Sequence, residues 1–182
     1  MSIYRNLLPQ SERLFITDGG LETVLIFQNG IELTCFAAID LMRRPDGPNL
    51  LRDYFKPYIE IASSAGTGLV LETPTWRASP DWAAPIGFQD LDALTDANQR
   101  GLKPTDEIRT ANATSDTPIV VSGCIGPRGD GYDPGNLMSM AEAEAYHSWQ
   151  IGVFAAGPAD LITAVTMNNI DEAVGISRAA KA

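Results

Sequence analysis

Four short runs of mostly apolar residues recur along the chain, separated by intervals long enough for a helix and its loops. The runs are Leu14–Thr17, Gly68–Glu72, Pro118–Ser122 and Asp160–Val165. Near-continuous apolar runs of this length are typical of strands that are covered on both faces, as in a parallel sheet. The pattern therefore predicts four buried parallel strands.

The intervening segments show the three-and-four spacing of apolar residues that is typical of helices. Helices are predicted over Asn49–Ala65, Asp90–Thr114 and Ser139–Ala156, and from Asn169 onwards. The first of these is followed by Gly66, a residue type that often ends a helix, and Ser139 begins a capping box with Glu142. Gly101 and Pro104 interrupt the second, so a break is expected there.

The order of strand and helix, repeated four times, predicts an α/β fold with a parallel sheet. The chain has 182 residues, which is enough to bury a core without disulfides or a metal. We expect a single domain over residues 1–182.

The charge of the chain argues against nucleic acid as a partner. There are 13 Lys and Arg residues against 23 Asp and Glu residues, a formal net charge of −10, and the basic residues are scattered. No apolar run is long enough for a transmembrane helix, and residues 1–20 lack the apolar core of a signal peptide. The two cysteines, Cys35 and Cys124, form no CxxC motif, which favours a reduced, cytoplasmic protein.

Polar residues and glycines gather where each predicted strand ends. Asp18, Gly19 and Gly20 follow the first strand, and Thr73 and Thr75 follow the second. A glycine-rich loop at 123–135 follows the third strand, and Thr166 to Asn169 follow the fourth. Because the carboxyl ends of parallel strands share one edge of a sheet, these residues are expected to line one pocket.

Each of these residues also has a purely structural interpretation. Asp18, which stands before two glycines, is as typical of a turn or a helix N-cap as it is of a functional site. Glu72, at the end of a strand, is also typical of a carboxylate that forms a structural salt bridge. The threonines suit strands by propensity alone. The only histidine, His147, lies inside a predicted helix and is interpreted as a packing or surface residue.

The set of four strand ends resembles the homocysteine S-methyltransferase family, which includes the betaine-dependent enzymes. The matching segments are Thr17–Thr23, Thr73–Ser79, Val121–Gly129 and the stretch from Tyr146 through Gly157 to Leu161. They follow one another in the order of the family and span nearly the whole chain.

The resemblance implies a TIM-type (β/α)8 barrel, of which this chain supplies about the first four β/α units. It implies transfer of a methyl group from a small donor, such as betaine or S-methylmethionine, to the sulfur of homocysteine or a related thiol. Asp18 would accept a hydrogen bond from the amino group of homocysteine, and Gly19 and Gly20 would let the backbone approach the substrate. Thr73, Thr75 and Gly126 are expected at the same pocket.

The family also implies a zinc ion, bound by three cysteines from the second half of the barrel, that holds the thiol as thiolate. Neither Cys35 nor Cys124 lies in those motifs, so no metal ligand is expected from this chain alone, and no catalytic residue is assigned. Where the family commonly has a substrate-binding glutamate after strand four, this chain has Val165. We therefore expect a homocysteine-binding type of domain that is truncated at its C-terminal side.

Two alternatives of other kinds stay open. One is a non-catalytic half-barrel that acts as a binding or assembly module and pairs with itself or with a second chain through its exposed strand edges. The other is a zinc-independent barrel enzyme that uses the carboxylates of Asp18, Glu72 and Asp130 for acid–base chemistry.

Overall fold

The computed structural model describes residues 12–133, 135 and 137–182. The strands are β1 (Phe15–Ile16), β2 (Gly68–Glu72), β3 (Ile119–Ile125) and β4 (Leu161–Ala164). The helices are α1 (Leu21–Thr23), α2 (Gly47–Ala65), α3 (Pro80–Ile86), α4 (Leu91–Asn112), α5 (Met140–Ala156) and α6 (Ile170–Ala179). A π-helical segment (Val24–Gln28) continues α1, and 3-10 segments occupy Thr34–Phe36 and Ala38–Arg43.

The four strands form one parallel sheet in the sequential order β1-β2-β3-β4, which confirms the predicted topology. Phe15 pairs with Gly68, Leu69 with Ile119, and Ser122 with Leu161. Helices lie between successive strands, so the prediction of an α/β fold is also confirmed. The carboxyl ends of all four strands consequently lie at one edge of the sheet.

The core is built on the two central strands. All residues of β3 are buried, as are the first four of β2. One apolar cluster packs α2 and the 3-10 segments against β2, through side chains such as Phe55, Leu51 and Ile39. A second cluster packs α5 and α6 against β3, through side chains such as Phe154 and Ile176.

Local capping explains where the predicted helices begin and end. Gly66 adopts the left-handed conformation at the end of α2, with φ of 64°, as its position after the apolar pattern predicts. The capping box at Ser139 is present, and the Asn169 side chain accepts a hydrogen bond from the amide of Glu172 at 2.8 Å.

His147 is fully buried with Nε2 2.9 Å from Glu172, so its interpretation as a packing residue is confirmed.

The predicted break in the second long helix is wrong, since α4 runs without interruption from Leu91 to Asn112. Gly101 is buried against the loop that follows β2, and a Cβ atom there would lie 3.3 Å from Thr75. The glycine thus allows a close approach between helix and loop. Pro104 cannot donate a backbone hydrogen bond, which costs free energy inside a helix. Burial of Leu94, Leu102 and other apolar side chains of α4 offsets that cost.

The third strand extends further than its apolar run predicts, because Gly123 to Ile125 belong to β3 rather than to the following loop. A Cβ atom on Gly123 would lie only 2.4 Å from the ring of Phe154. This glycine is therefore a packing residue inside a strand. The apolar run ends before Gly123, which is why the sequence pattern places this glycine in the loop. Glycine inside a strand often marks a site where another group approaches the backbone closely.

No helix in the described part of the chain is long and apolar enough to cross a membrane. The predicted lack of a signal peptide concerns residues 1–20, and residues 1–11 of that segment lie outside the described residues.

Both outer strands have only one partner among the described residues, since β1 pairs with β2 and β4 pairs with β3. The side chains of β4 are partly exposed, whereas those of β3 are all buried. Unpaired strand edges favour pairing with another chain. Self-association stays a prediction, and so does the assembly-module alternative.

We predict that the molar mass of the purified chain in solution rises with protein concentration. Multi-angle light scattering after size-exclusion chromatography at a low and a high loading concentration measures this. A monomer mass that does not change with loading would contradict the prediction.

Candidate functional site

A cavity of about 420 Å³ lies at the carboxyl ends of the strands. Its wall consists of residues 17–23, Phe36, Glu72, Thr73, Trp76, Cys124, Tyr132, Thr163, Val165 and Thr166. Every strand or the segment that directly follows it contributes to the wall. This is the edge of an open parallel sheet at which ligands bind in α/β proteins, and the volume is in the range of small-molecule sites.

The structure brings four of the six predicted site residues to this wall. Asp18, Gly19, Gly20 and Thr73 line the cavity, whereas Thr75 and Gly126 do not. All six follow the carboxyl ends of β1, β2 or β3, as expected. Their roles in substrate binding stay predictions.

Thr75 lies beneath the wall and connects β2 to β3. It is fully buried, and its hydroxyl group lies 2.6 Å from the hydroxyl of Thr73 and donates a hydrogen bond to the carbonyl of Cys124 at 2.8 Å. The Cys124 amide in turn donates to the Thr73 hydroxyl at 3.0 Å. The two threonines therefore hold the ends of two strands together, and Thr75 is placed to position Thr73.

Gly126 lets the loop after β3 approach the loop after β2. Its amide donates a hydrogen bond to the carbonyl of Trp76 at 3.0 Å, and a Cβ atom there would lie 2.5 Å from that oxygen. Gly126 therefore helps to place Trp76, which lines the cavity.

Two tyrosines of α2 hold the turn that follows β1. The Tyr54 hydroxyl donates to Asp18 Oδ2 at 2.6 Å and accepts a hydrogen bond from the Gly20 amide at 3.1 Å. The Tyr58 hydroxyl accepts one from the Gly19 amide at 3.2 Å. Gly20 has φ of 144°, a conformation that side chains rarely allow, so the turn requires glycine there.

The sequence analysis places Tyr54 and Tyr58 only within the helix predicted over Asn49–Ala65 and gives them no role at the site. The signal that could have identified them is their hydroxyl groups. Two tyrosines four residues apart lie one above the other on a helix, and a buried hydroxyl needs a hydrogen-bond partner. Tyr54 is buried, with burial and the neighbouring Asp18 both raising the pKa of its hydroxyl.

Three carboxyl groups line the cavity, and no lysine, arginine or histidine is among its lining residues. Burial raises the pKa of Asp18 and of Glu22, and it raises the pKa of Glu72 to about 7. The hydroxyl groups of Thr163 and Ser122 oppose the shift at Glu72, and the charge of Asp18 adds to it. Glu72 was predicted only as one member of an alternative carboxylate set.

The third member of that set, Asp130, does not join the other two. Asp130 does not line the cavity, and its Oδ2 lies 2.7 Å from a nitrogen of Arg77. The pKa of Asp130 is lowered by the backbone amide of Tyr132 and by Arg77. Asp130 therefore does not share the cavity wall with Asp18 and Glu72, and acid–base chemistry by these carboxylates stays a prediction.

Arg77 links the loops around the cavity mouth. Its guanidinium group lies 4.6 Å from the ring centre of Trp76 and 4.1 Å from that of Trp82, and it donates to the carbonyl of Cys35 at 2.5 Å. Cys35 and the cavity residue Phe36 both have positive φ, which is a strained conformation for residues with side chains. Arg77 therefore stabilises the segment that brings Phe36 to the cavity.

The two cysteines do not provide a zinc site. The Cys124 thiol is buried, and its pKa is raised by burial and by the nearby carboxylates, so this thiol stays protonated. Cys35 is exposed and donates to the carbonyl of Pro85 at 3.5 Å. Among the described residues, no group of three histidine, cysteine, aspartate or glutamate side chains could hold a metal ion.

A family model for homocysteine S-methyltransferase matches residues 15–182, which covers β1 to α6 and every residue of the cavity wall. The chain belongs to the homocysteine S-methyltransferase family. The resemblance of the four strand-end motifs is thereby confirmed.

Solved structures of a homocysteine S-methyltransferase share the fold. The metallated form of the homocysteine methyltransferase MmuM from Escherichia coli superposes with a TM-score of 0.71 at 17% identity, over 97% of this chain and 62% of that one. The oxidized form gives 0.72 at 20% identity, over 96% and 60%. The fold is thus that of a partial TIM barrel, and the chain spans about 60% of the length of these structures. No curated protein sequence matches this member of the family.

We predict that Tyr54→Phe lowers the free energy of unfolding by about 1–3 kcal/mol, because it removes a hydroxyl that donates to a carboxylate and accepts from an amide. Urea denaturation measures the change. Tyr132→Phe is the control, since Tyr132 is 91% exposed. Equal stabilities of the two variants would contradict the importance of the tyrosine for the Asp18 turn.

We also predict that Glu72→Gln flattens the dependence of stability on pH. The carboxyl group has its ordinary pKa near 4.5 when unfolded and about 7 when folded. Between these values the unfolded state ionises first, so the free energy of unfolding of the wild type falls as pH rises, by on the order of 3 kcal/mol in total. About one pH unit above the folded-state pKa, where Glu72 is ionised in both states, the free energy of unfolding no longer depends on this group.

Urea denaturation from pH 5 to pH 8 tests this prediction. Asp18 and Glu22 contribute in the same direction but are present in both proteins, so the difference between the two curves reports Glu72. Glu60→Gln, at an exposed position of α2, serves as the matched control and should follow the wild type. Parallel curves for wild type and Glu72→Gln would show that Glu72 keeps an ordinary pKa.

Proposed function

We propose that the cavity binds homocysteine or a related thiol, and that the chain forms part of an enzyme that transfers a methyl group from a small donor to the sulfur. The observation that carries the proposal is the position of the Asp18–Gly20 turn and Thr73 on the wall of one cavity. The chain belongs to the homocysteine S-methyltransferase family, and its structural relatives are named as homocysteine methyltransferases.

In this proposal Asp18 accepts a hydrogen bond from the ammonium group of the substrate. Tyr54 orients the carboxylate from behind, since its hydroxyl donates to Oδ2. The amides of Gly19 and Gly20 already donate to tyrosine hydroxyls. The glycines therefore serve by leaving room for the substrate beside the backbone rather than by binding it through their amides.

The reaction itself exchanges one bond to the methyl carbon for another. The sulfur attacks the methyl carbon, and the bond from that carbon to the nitrogen or sulfur of the donor breaks. The donor leaves with the electron pair of that bond. The thiol proton must be removed, because the thiolate is the nucleophile.

Zinc would supply thiolate activation in whole enzymes of this type. The described residues do not fit a zinc site, because no three histidine, cysteine, aspartate or glutamate side chains among them lie close enough together to hold a metal ion. We therefore expect the 182-residue chain by itself to transfer no methyl group to homocysteine, even with zinc added. An activity assay with betaine and with S-methylmethionine as donors tests this expectation.

Binding to the chain tests the proposed substrate. In isothermal titration calorimetry, L-homocysteine should bind more tightly than L-homoserine, which differs only in having a hydroxyl in place of the thiol. Asp18→Asn should weaken the binding of L-homocysteine about tenfold or more, because it removes a charged hydrogen-bond acceptor. Asp53→Asn, at an exposed position of α2, should leave it unchanged. Equal binding of the two amino acids would refute a thiol site.

Glu72 favours a second candidate, which is zinc-independent acid–base chemistry in the same cavity. Its pKa of about 7 is that of an effective general base at neutral pH. Asp130 has no part in this version. The two candidates are separated by an activity assay of the chain in the presence of a chelator, since the first expects no activity there and acid–base catalysis at Glu72 would persist.

A further inference from the structure

Glu72 has a buried carboxyl oxygen for which the described residues supply no hydrogen-bond donor. Asp18 accepts a hydrogen bond from the Tyr54 hydroxyl, and the backbone of Ala38 hydrogen bonds to Glu22. The hydroxyl groups of Thr163 and Ser122 hydrogen bond to the Glu72 carboxyl group, but its Oε2 is buried and has no hydrogen-bond partner among the described residues. A buried acceptor without a donor costs free energy, and more so when it is charged. Glu72 Oε2 can therefore accept a hydrogen bond from a donor that the described residues do not supply.

The charge of the cavity indicates which kind of donor is missing. None of the lining residues carries a positive charge, whereas Asp18, Glu22 and Glu72 are all acidic. Among the described residues, no three potential ligands gather around a point that a metal ion could occupy. A wall of one sign of charge attracts a ligand of the opposite sign.

The unsatisfied oxygen further narrows the choice among organic cations. A quaternary ammonium or a sulfonium group brings positive charge but has no hydrogen to donate. A primary ammonium group brings the same charge together with three donors. It can therefore satisfy Glu72 and Asp18 at once, and the charge of Asp18 already acts on Glu72 within the protein itself.

We propose that Glu72 is a specificity-determining residue, which binds the ammonium group of an amino-acid ligand in this cavity together with Asp18. The terminal torsion of a glutamate is broad, so its two oxygens can exchange between the buried position and the cavity. This inference deepens the proposed function and rests on it for the identity of the amino acid, but not for the presence of the ammonium group. It assigns to the end of β2 a contact that the sequence motifs alone do not assign.

Calorimetric titrations of the 182-residue chain at pH 8 with three probes test the proposal. L-homocysteine carries both the amine and the thiol, 4-mercaptobutyrate lacks the amine, and L-2-aminobutyrate lacks the thiol. Each is titrated into the wild type, Glu72→Gln and the exposed control Glu60→Gln. Thermal melting of each variant establishes that it is folded before titration.

The proposal expects the wild type to bind L-homocysteine at least about tenfold more tightly than 4-mercaptobutyrate. Glu72→Gln should weaken the binding of L-homocysteine about tenfold to a hundredfold and leave the binding of 4-mercaptobutyrate unchanged. Glu60→Gln should bind both ligands as tightly as the wild type does. Unchanged binding of L-homocysteine to Glu72→Gln overturns the proposal. Equal weakening of both thiols, or no binding of any probe to the wild type, overturns it as well.

The third probe separates this proposal from the proposed function. If the cavity recognises an amino acid but not its thiol, L-2-aminobutyrate binds the wild type as tightly as L-homocysteine does. Glu72→Gln then weakens the binding of both amino acids by the same factor. That result refutes the thiol site and supports the role of Glu72. Thiol-selective binding that does not depend on Glu72 supports the thiol site and refutes the role of Glu72.

Discussion

The site depends on the parallel, in-register pairing of four consecutive strands. Since each strand runs in the same direction, the segments that follow β1, β2, β3 and β4 meet at one edge of the sheet. Residues that are far apart in the chain, such as Asp18, Glu72 and Thr163, are thereby brought to one cavity. The hydrogen bonds of Thr73 and Thr75 to the end of β3 and those of Tyr54 to the Asp18 turn then hold this edge together.

This arrangement places acidic groups where the protein itself does not neutralise them. Burial of Asp18, Glu22 and Glu72 raises the pKa of each, so at neutral pH their ionised forms destabilise the folded state. Proteins keep such groups where a ligand compensates for them, and perturbed carboxyl groups in a cavity are typical of functional sites. Asp130, whose charge is matched by Arg77, shows the opposite case of a carboxylate with a structural partner.

The strands, their order and four residues of the cavity wall could be predicted from the sequence because these depend on local signals. Apolar runs identify buried strands, and Asp18 and Thr73 directly follow such runs. The sequence did not predict the continuous α4 or the strand position of Gly123, because both Gly101 and Gly123 serve close contacts with residues distant in the chain. Neither the hydrogen bond of Tyr54 to Asp18 nor the ion pair of Arg77 with Asp130 could be predicted from it. Such pairings become visible only once the elements have packed.

The central claim is that this cavity is the binding site for an amino-acid thiol. A crystal structure of the chain grown with L-homocysteine tests it most directly. The account predicts the ligand within the cavity, with its ammonium nitrogen within hydrogen-bonding distance of the carboxylates of Asp18 and Glu72. Homocysteine bound elsewhere, or bound in the cavity with its ammonium group directed away from both carboxylates, would contradict the account.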